Sequence, residues 1–194
     1  MRIKHVMTSH AYACSPDQSL NDVARIMWEH DLGCVPIVDS ARKILGIVTD
    51  RDIAMAAYTQ GRSLANIPAR DVMSRHVYVC GPDEDIEYAL ERMSVHQLRR
   101  LPVTDATGAV LGMVSLNDLA LLAAQDRGGR AAALQKGVAL TLAKICEHRG
   151  ASATIAPHAE APTSFAGLPT SDDRVRGHDQ AGNAMHARGA PRRA

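Results

Sequence analysis

Aromatic residues are scarce in this chain: Phe, Trp and Tyr make up 3% of its 194 residues, with a single Trp28 and a single Phe165. Aliphatic side chains and methionine must fill any core, which favours layered strands and helices over aromatic stacking platforms. Excess charge is lacking too. Lys and Arg number 22 against 21 Asp and Glu, a formal net charge of +1, so no basic field exists to meet the phosphates of a nucleic acid. No apolar run approaches the ~18 to 20 residues of a membrane span, and Met1 to Val6 lacks the apolar stretch of a signal peptide. The expectation is a cytoplasmic protein with neither nucleic acid nor membrane as partner. The four cysteines, Cys14, Cys34, Cys80 and Cys146, form no CxxC pair, and without an export signal they are expected to be reduced and buried. Nothing resembles GxSxG, HExxH, a phosphate-binding GxxxxGK loop or a dinucleotide fingerprint. No catalytic arrangement and no cofactor are expected.

What is present is an internal repeat. Shifting the sequence against itself by about 66 residues aligns 6–57 with 72–123 without a gap, and about a third of the paired positions are identical. Val6-Met7 pairs with Val72-Met73, and Cys14-Ser15-Pro16-Asp17 with Cys80-Gly81-Pro82-Asp83. Met27, Leu32, Pro36 and Asp39 pair with Met93, Leu98, Pro102 and Asp105, and Leu45-Gly46 and Asp52 with Leu111-Gly112 and Asp118.

Each unit reads as strand, helix, hairpin, helix. In the first, a short strand around Tyr12-Ala13-Cys14 ends at Pro16. Ser19 and Asp22 then make a capping-box pattern ahead of Leu20, Val23, Ala24 and Met27, spaced to line one helix face. Cys34-Val35-Pro36-Ile37-Val38 and Ile44-Leu45-Gly46-Ile47-Val48, separated by the polar stretch Asp39 to Lys43, read as a hairpin. Asp50 to Tyr58 reads as the second helix. The second unit repeats this with Ile86, Ala89, Leu90 and Met93 on its first helix, hairpin runs Leu101 to Thr104 and Val110 to Val114, and a helix from Leu116 to Ala124. One such unit has too little core to be stable alone, so two should pack face to face about a pseudo-two-fold axis. Leu134, Val138, Leu142 and Ile145 recur at helical spacing further on.

These marks resemble the CBS domain, present as a tandem pair or Bateman module. Each repeat opens on Val-Met-Thr/Ser (Val6-Met7-Thr8, Val72-Met73-Ser74) and carries a central apolar-Pro-apolar-x-Asp strand (Val35 to Asp39, Leu101 to Asp105). Each closes on Gly-apolar-apolar-Thr/Ser-x-x-Asp (Gly46 to Asp52, Gly112 to Asp118). With no other domain attached, the chain is similar to stand-alone bacterial members, including hypoxic-response-type proteins. The expected fold is α/β of the α+β kind. Residues 1–60 form the first CBS domain, 61–71 a linker, 72–126 the second CBS domain, 130–148 an amphipathic helix, and 150–194 a disordered tail. The resemblance implies a regulatory, non-catalytic protein, a homodimer whose ligand is an adenine nucleotide: AMP, ADP or ATP. It says nothing of a downstream target.

The closing motif has its own chemical logic. Thr49 ends a strand and begins a helix, so its hydroxyl lies beside unpaired backbone N–H groups suited to phosphate. Asp52, one turn on, can accept hydrogen bonds from ribose hydroxyls. Ser115 and Asp118 repeat the arrangement. The resemblance assigns these residues those roles and places adenine near Tyr12 to Cys14 and Pro36, or near Tyr78 to Cys80 and Pro102. The competing reading is that Thr49 with Asp52 and Ser115 with Asp118 are helix capping boxes, worth on the order of 1 kcal/mol without any ligand. Arg51, and the pair Arg99 and Arg100, are either phosphate ligands or solvated surface residues. His10 and Cys14 recur as His76 and Cys80, a set chemically able to hold zinc, although repeat ancestry accounts for the duplication equally well. The alternative functions are therefore a ligand-free dimeric interaction scaffold, or a zinc-binding or redox-responsive stress protein.

Overall fold

A computed structural model describes residues 1–125, 128 and 131–147; the tail expected over 150–194 lies outside the described residues. The chain runs β1 (Thr8–Ser9), α1 (Leu20–Glu29), β2 (Cys34–Val38), β3 (Ile44–Thr49), α2 (Asp50–Gln60), α3 (Ile86–His96), β4 (Arg100–Thr104), β5 (Val110–Ser115), α4 (Leu116–Gln125) and α5 (Ala131–Cys146). The chain is therefore a mixed fold of helices and antiparallel hairpins, as the sequence led one to expect.

The hairpins β2-β3 and β4-β5 share one register: Pro36 faces Ile47, and Pro102 faces Met113. Their turns explain the Asp that follows each apolar-Pro strand. Asp39 Oδ1 accepts from the backbone N–H groups of Ala41 and Lys43, and Asp105 Oδ1 from those of Thr107 and Ala109. Beyond each Asp, the chain closes the turn with a left-handed residue, Arg42 (φ 61°) and its repeat counterpart Gly108 (φ 86°). The two tips then bond to each other, Ile44 N–H to the Gly108 carbonyl and Val110 N–H to that of Arg42.

The opening strand expected around Tyr12 to Cys14 is a single bridge, Cys14 to Ile37. His10 is left-handed (φ 59°) and turns the chain between two partners. Before it, β1 pairs with β5 of the other repeat; after it, Cys14 lies along β2 of its own. Ser74 mirrors β1 by bridging to Ile47 in β3. This crossing explains the motif glycines. A Cβ on Gly46 would lie 2.6 Å from Met73 Sδ, and one on Gly112 would strike the Thr8 carbonyl.

The core has the same exchanged logic. Leu20, Val23, Met27, Val35, Ile37, Val48 and Ile53 form the first-repeat cluster, joined by Ile67 and Ala69 from the segment between repeats. Leu90, Met93, Leu101, Val103, Val114 and Leu119 form the second, joined by Ile3 from the N-terminus. Each buried aliphatic side chain contributes ~1.5–3 kcal/mol, so both connecting segments act as structural parts. Ala11, Val38 and Val110 make a third cluster between the hairpin tips.

Helix α5 covers α3 and α4. Leu134 is buried, and Val138 and Ile145 pack against the second core. Leu142, expected on the same stripe, faces outward instead, and Thr141 takes the inner position, its hydroxyl donating to the Leu90 carbonyl at 3.4 Å. A helix turns 3.6 residues, so 134, 138, 141 and 145 keep one face while 142 drifts off its edge. Among the described residues, no helix is long and apolar enough to cross a membrane.

Candidate functional site

Strand β3 delivers Thr49 to the head of α2 with an extended backbone (φ −110°, ψ 164°), which turns its side chain back over the first helical turn. The Thr49 N–H and hydroxyl both donate to Asp52 Oδ2, at 2.8 and 2.7 Å, and Asp52 N–H donates to Thr49 Oγ1 at 3.2 Å. Ser115 and Asp118 at the head of α4 reproduce the three bonds at the same distances. Both pairs are thus complete capping boxes.

That geometry alone does not mark a ligand site, because Ser19 and Asp22 build the same box at α1. There the Ser19 hydrogen bonds hold the Asp22 carboxyl below its ordinary value. Two features set the other two boxes apart. Each stands at the end of a strand whose neighbour is the opening segment of the opposite repeat. Each also keeps a spare acceptor: among the described residues, Oδ1 of Asp52 and of Asp118 makes no hydrogen bond. The Thr49 and Ser115 hydroxyl protons, by contrast, are committed to the carboxylates, so neither is free to donate to phosphate while its box is closed.

The arginines separate. Arg51 and Arg99 are exposed, whereas Arg100 is half-buried and reaches from β4 to the first repeat. Its guanidinium lies 3.0 to 3.3 Å from where a Cβ on Gly33 would stand. The neighbouring Cys34 is in register with Thr49, and burial raises its thiol pKa while the Arg100 charge opposes the rise.

Around the opening segments, Cys14 N–H donates to the Pro36 carbonyl and Cys80 N–H to that of Pro102, both at 3.0 Å. Cys14, Pro36, Cys80 and Pro102 are buried, so each pair forms one continuous wall. Each tyrosine stacks on a partner not anticipated in the sequence. Tyr12 stacks on His30 at 3.6 Å between ring centroids, and Tyr78 on His96 at 3.5 Å. The signal was available, since His30 and His96 are repeat counterparts. Among the described residues, no three His, Cys, Asp or Glu side chains converge as metal ligands, so His10, Cys14, His76 and Cys80 are not gathered together. Cys14, Cys34 and Cys80 are buried free thiols, while Cys146 is exposed, contrary to expectation.

Grooves lie along the helices, one of them reaching Asp50 in the first turn of α2 beside the Thr49/Asp52 box. This groove, of about 490 Å³, is bordered by Met27, Trp28, Leu32 and Ile53; another, of about 800 Å³, runs between α3 and α5.

The family model of the CBS domain matches residues 3–58 and again 69–124. CBS domain-containing protein YhcV of Bacillus subtilis (strain 168) is 37% identical over 119 residues, which cover 61% of this chain and 83% of that protein. The CBS domain pair of protein MJ0100, solved in complex with 5′-methylthioadenosine and S-adenosyl-L-methionine, is similar with a TM-score of 0.57 at 26% identity. The match covers 63% of this chain and 94% of that one. Hypoxic Response Protein I, solved with two coordinated zinc ions, gives a TM-score of 0.58 at 26% identity, over 62% of this chain and 98% of that one.

Proposed function

Because this chain belongs to the CBS-domain family and carries the domain twice in tandem, we propose that it is a cytoplasmic regulatory module that binds an adenine nucleotide and catalyses nothing itself. The observation that carries this reading is the duplicated spare carboxylate oxygen. In both repeats, one oxygen of the motif Asp closes the helix cap, and the other remains available to ribose hydroxyls. Capping and binding then use different atoms of the same side chain. The MJ0100 domain pair, whose complex holds two adenosine derivatives, supports the ligand class.

In this reading Asp52 and Asp118 accept from the ribose, and the base lies along the wall formed by the opening segment and the Pro strand. Arg100 supplies charge for a phosphate, with Arg51 and Arg99 at the periphery. AMP, ADP and ATP all satisfy that chemistry. The protein acts as a homodimer. Helix α5 covers α3 and α4, while among the described residues no helix covers α1 and α2 in the same way and Trp28 is 89% exposed, and a second copy burying that face completes a closed two-fold assembly.

Calorimetric titration of protein shown by absorbance to be free of bound nucleotide tests the function. Binding to the folded state alone raises stability by about 2.7 kcal/mol at a hundredfold excess over Kd, so AMP or ATP should raise the melting temperature. No heat and no shift at millimolar AMP, ADP and ATP would leave the interaction scaffold as the function.

A further inference from the structure

Helix α5 gives the second repeat a surface that the first repeat does not share. Between it and α3 runs the groove of about 800 Å³, floored by Ile86, Leu90, Leu122 and Leu134 and edged by Leu140, which is 59% exposed. Hydrogen bonds from side chain to backbone hold the walls in place. Gln97 Nε2 donates to the Lys144 and Glu147 carbonyls and Gln135 Nε2 to that of Ala123, all at 3.0 Å, and Thr141 ties the middle of α5 to Leu90. Glycine is unfavourable inside a helix, yet Gly137 lies within α5, where a Cβ would stand 3.2 Å from Leu90 Cδ1. The two helices close together there, and no side chain fills the groove from that position.

The rim carries unpaired charge of one sign. Lys144 is paired with Glu147, and the Met1 amine with Asp85. Glu87 and Glu91 lie one turn apart on α3, both exposed, and among the described residues no cation pairs with either. Their repeat counterparts are Asn21 and Arg25, so the repeat does not itself call for acids there. The sides of two helices offer no free backbone N–H or carbonyl with which an extended strand could pair. A third helix satisfies its own backbone and can set an apolar ridge into the groove. Basic residues one turn apart beside that ridge then meet Glu87 and Glu91.

We propose that the groove between α3 and α5 is a docking site for an amphipathic helix of a partner protein, apolar on one face and flanked by lysine or arginine. It shares no lining residue with the Trp28 groove on the face assigned to a second copy. The site goes beyond nucleotide binding and does not depend on it.

Fluorescence anisotropy on the full chain tests this with a labelled synthetic helix of about four turns, carrying leucines along one face and arginines beside them. Two control peptides have the same composition scrambled so that no leucine face forms, or glutamate in place of arginine. The parent should bind the first peptide and neither control. Glu87→Gln combined with Glu91→Gln should weaken that binding by about three- to tenfold, an effect that fades as salt rises. Leu140→Ser should cost a similar factor through lost apolar contact. Glu29→Gln combined with Asp71→Asn removes equal charge from exposed positions elsewhere and should change nothing. All of these side chains are exposed, and thermal melts verify that each variant is folded. The proposal is overturned if the parent binds no peptide, if the scrambled peptide binds equally well, or if the distant charge change weakens binding as much as the Glu87 and Glu91 change. Loss of dimer mass by light scattering in the Glu87 and Glu91 or Leu140 variants would give the groove to a second copy and overturn it too. If the parent binds the helix but no adenine nucleotide, the nucleotide reading fails and the docking site stands; nucleotide binding without helix binding sinks the docking site alone.

Discussion

Asp52→Asn separates ribose recognition from helix capping within one side chain. In the parent, Oδ2 accepts from the Thr49 N–H and hydroxyl at 2.8 and 2.7 Å. An asparagine can place its carbonyl oxygen there and keep both bonds, losing only charge assistance and the favourable contact of an anion with the helix N-terminus, together about 0.5–1 kcal/mol. For a chain of this size, that lowers the melting temperature by roughly 1–4 °C. The amide NH2 then occupies the place of Oδ1, presenting a donor where a ribose hydroxyl needs an acceptor. The expected loss is about 1–3 kcal/mol of binding, or roughly tenfold to a hundredfold in Kd. Asp118→Asn reports on the second cleft in the same way. The fold supplies its own control: Asp22→Asn alters an identical box at α1 and should reduce thermal stability while leaving affinity untouched. Thermal melts without ligand, paired with calorimetry, measure both quantities. If Asp52→Asn and Asp118→Asn both bind nucleotide as tightly as the parent, the aspartates are caps only and the site assignment is wrong.

Gly112→Ala should destabilise by about 1–3 kcal/mol in chemical denaturation, because the new methyl meets the backbone carbonyl of Thr8, whereas Gly46→Ala meets the flexible Met73 side chain and should cost less; equal losses would refute the crossing as the reason for both glycines. Burial pushes the Cys14 and Cys80 thiols up to about 11 and about 12, so mass spectrometry after alkylation at neutral pH should find exposed Cys146 modified and Cys14, Cys34 and Cys80 intact until the protein unfolds. Hydrogen bonds from Ser19, Lys4 and Thr107 hold Asp22, Asp83 and Asp105 below the ordinary 3.8. A folded-state value below the unfolded one stabilises fully above 3.8 and is lost as pH falls through the lower folded value. Melting temperature should therefore fall on acidification below pH 3.8, and Asp105→Asn should flatten part of that fall.

Much of what depends on residues a few positions apart, and the repeat that duplicates it, was legible in the sequence, although the opening strand expected around Tyr12 to Cys14 reduces to one bridge. The repeat, the helices and hairpins, the buried face of Ile86, Ala89, Leu90 and Met93, and the Thr49/Asp52 and Ser115/Asp118 pairings all follow from local periodicity or from i, i+3 capping chemistry. Tertiary packing decided the rest. That Ile3 enters the second core while Ile67 and Ala69 enter the first depends on how two units cross, and no window of sequence contains both sides of that contact. The same holds for Thr141 replacing Leu142 against Leu90, where a 3.6-residue turn is matched to a surface formed fifty residues earlier. It holds most for Arg100 over Gly33: 67 positions separate them along the chain, and only the pseudo-two-fold packing of the repeats places a guanidinium where a side chain is missing.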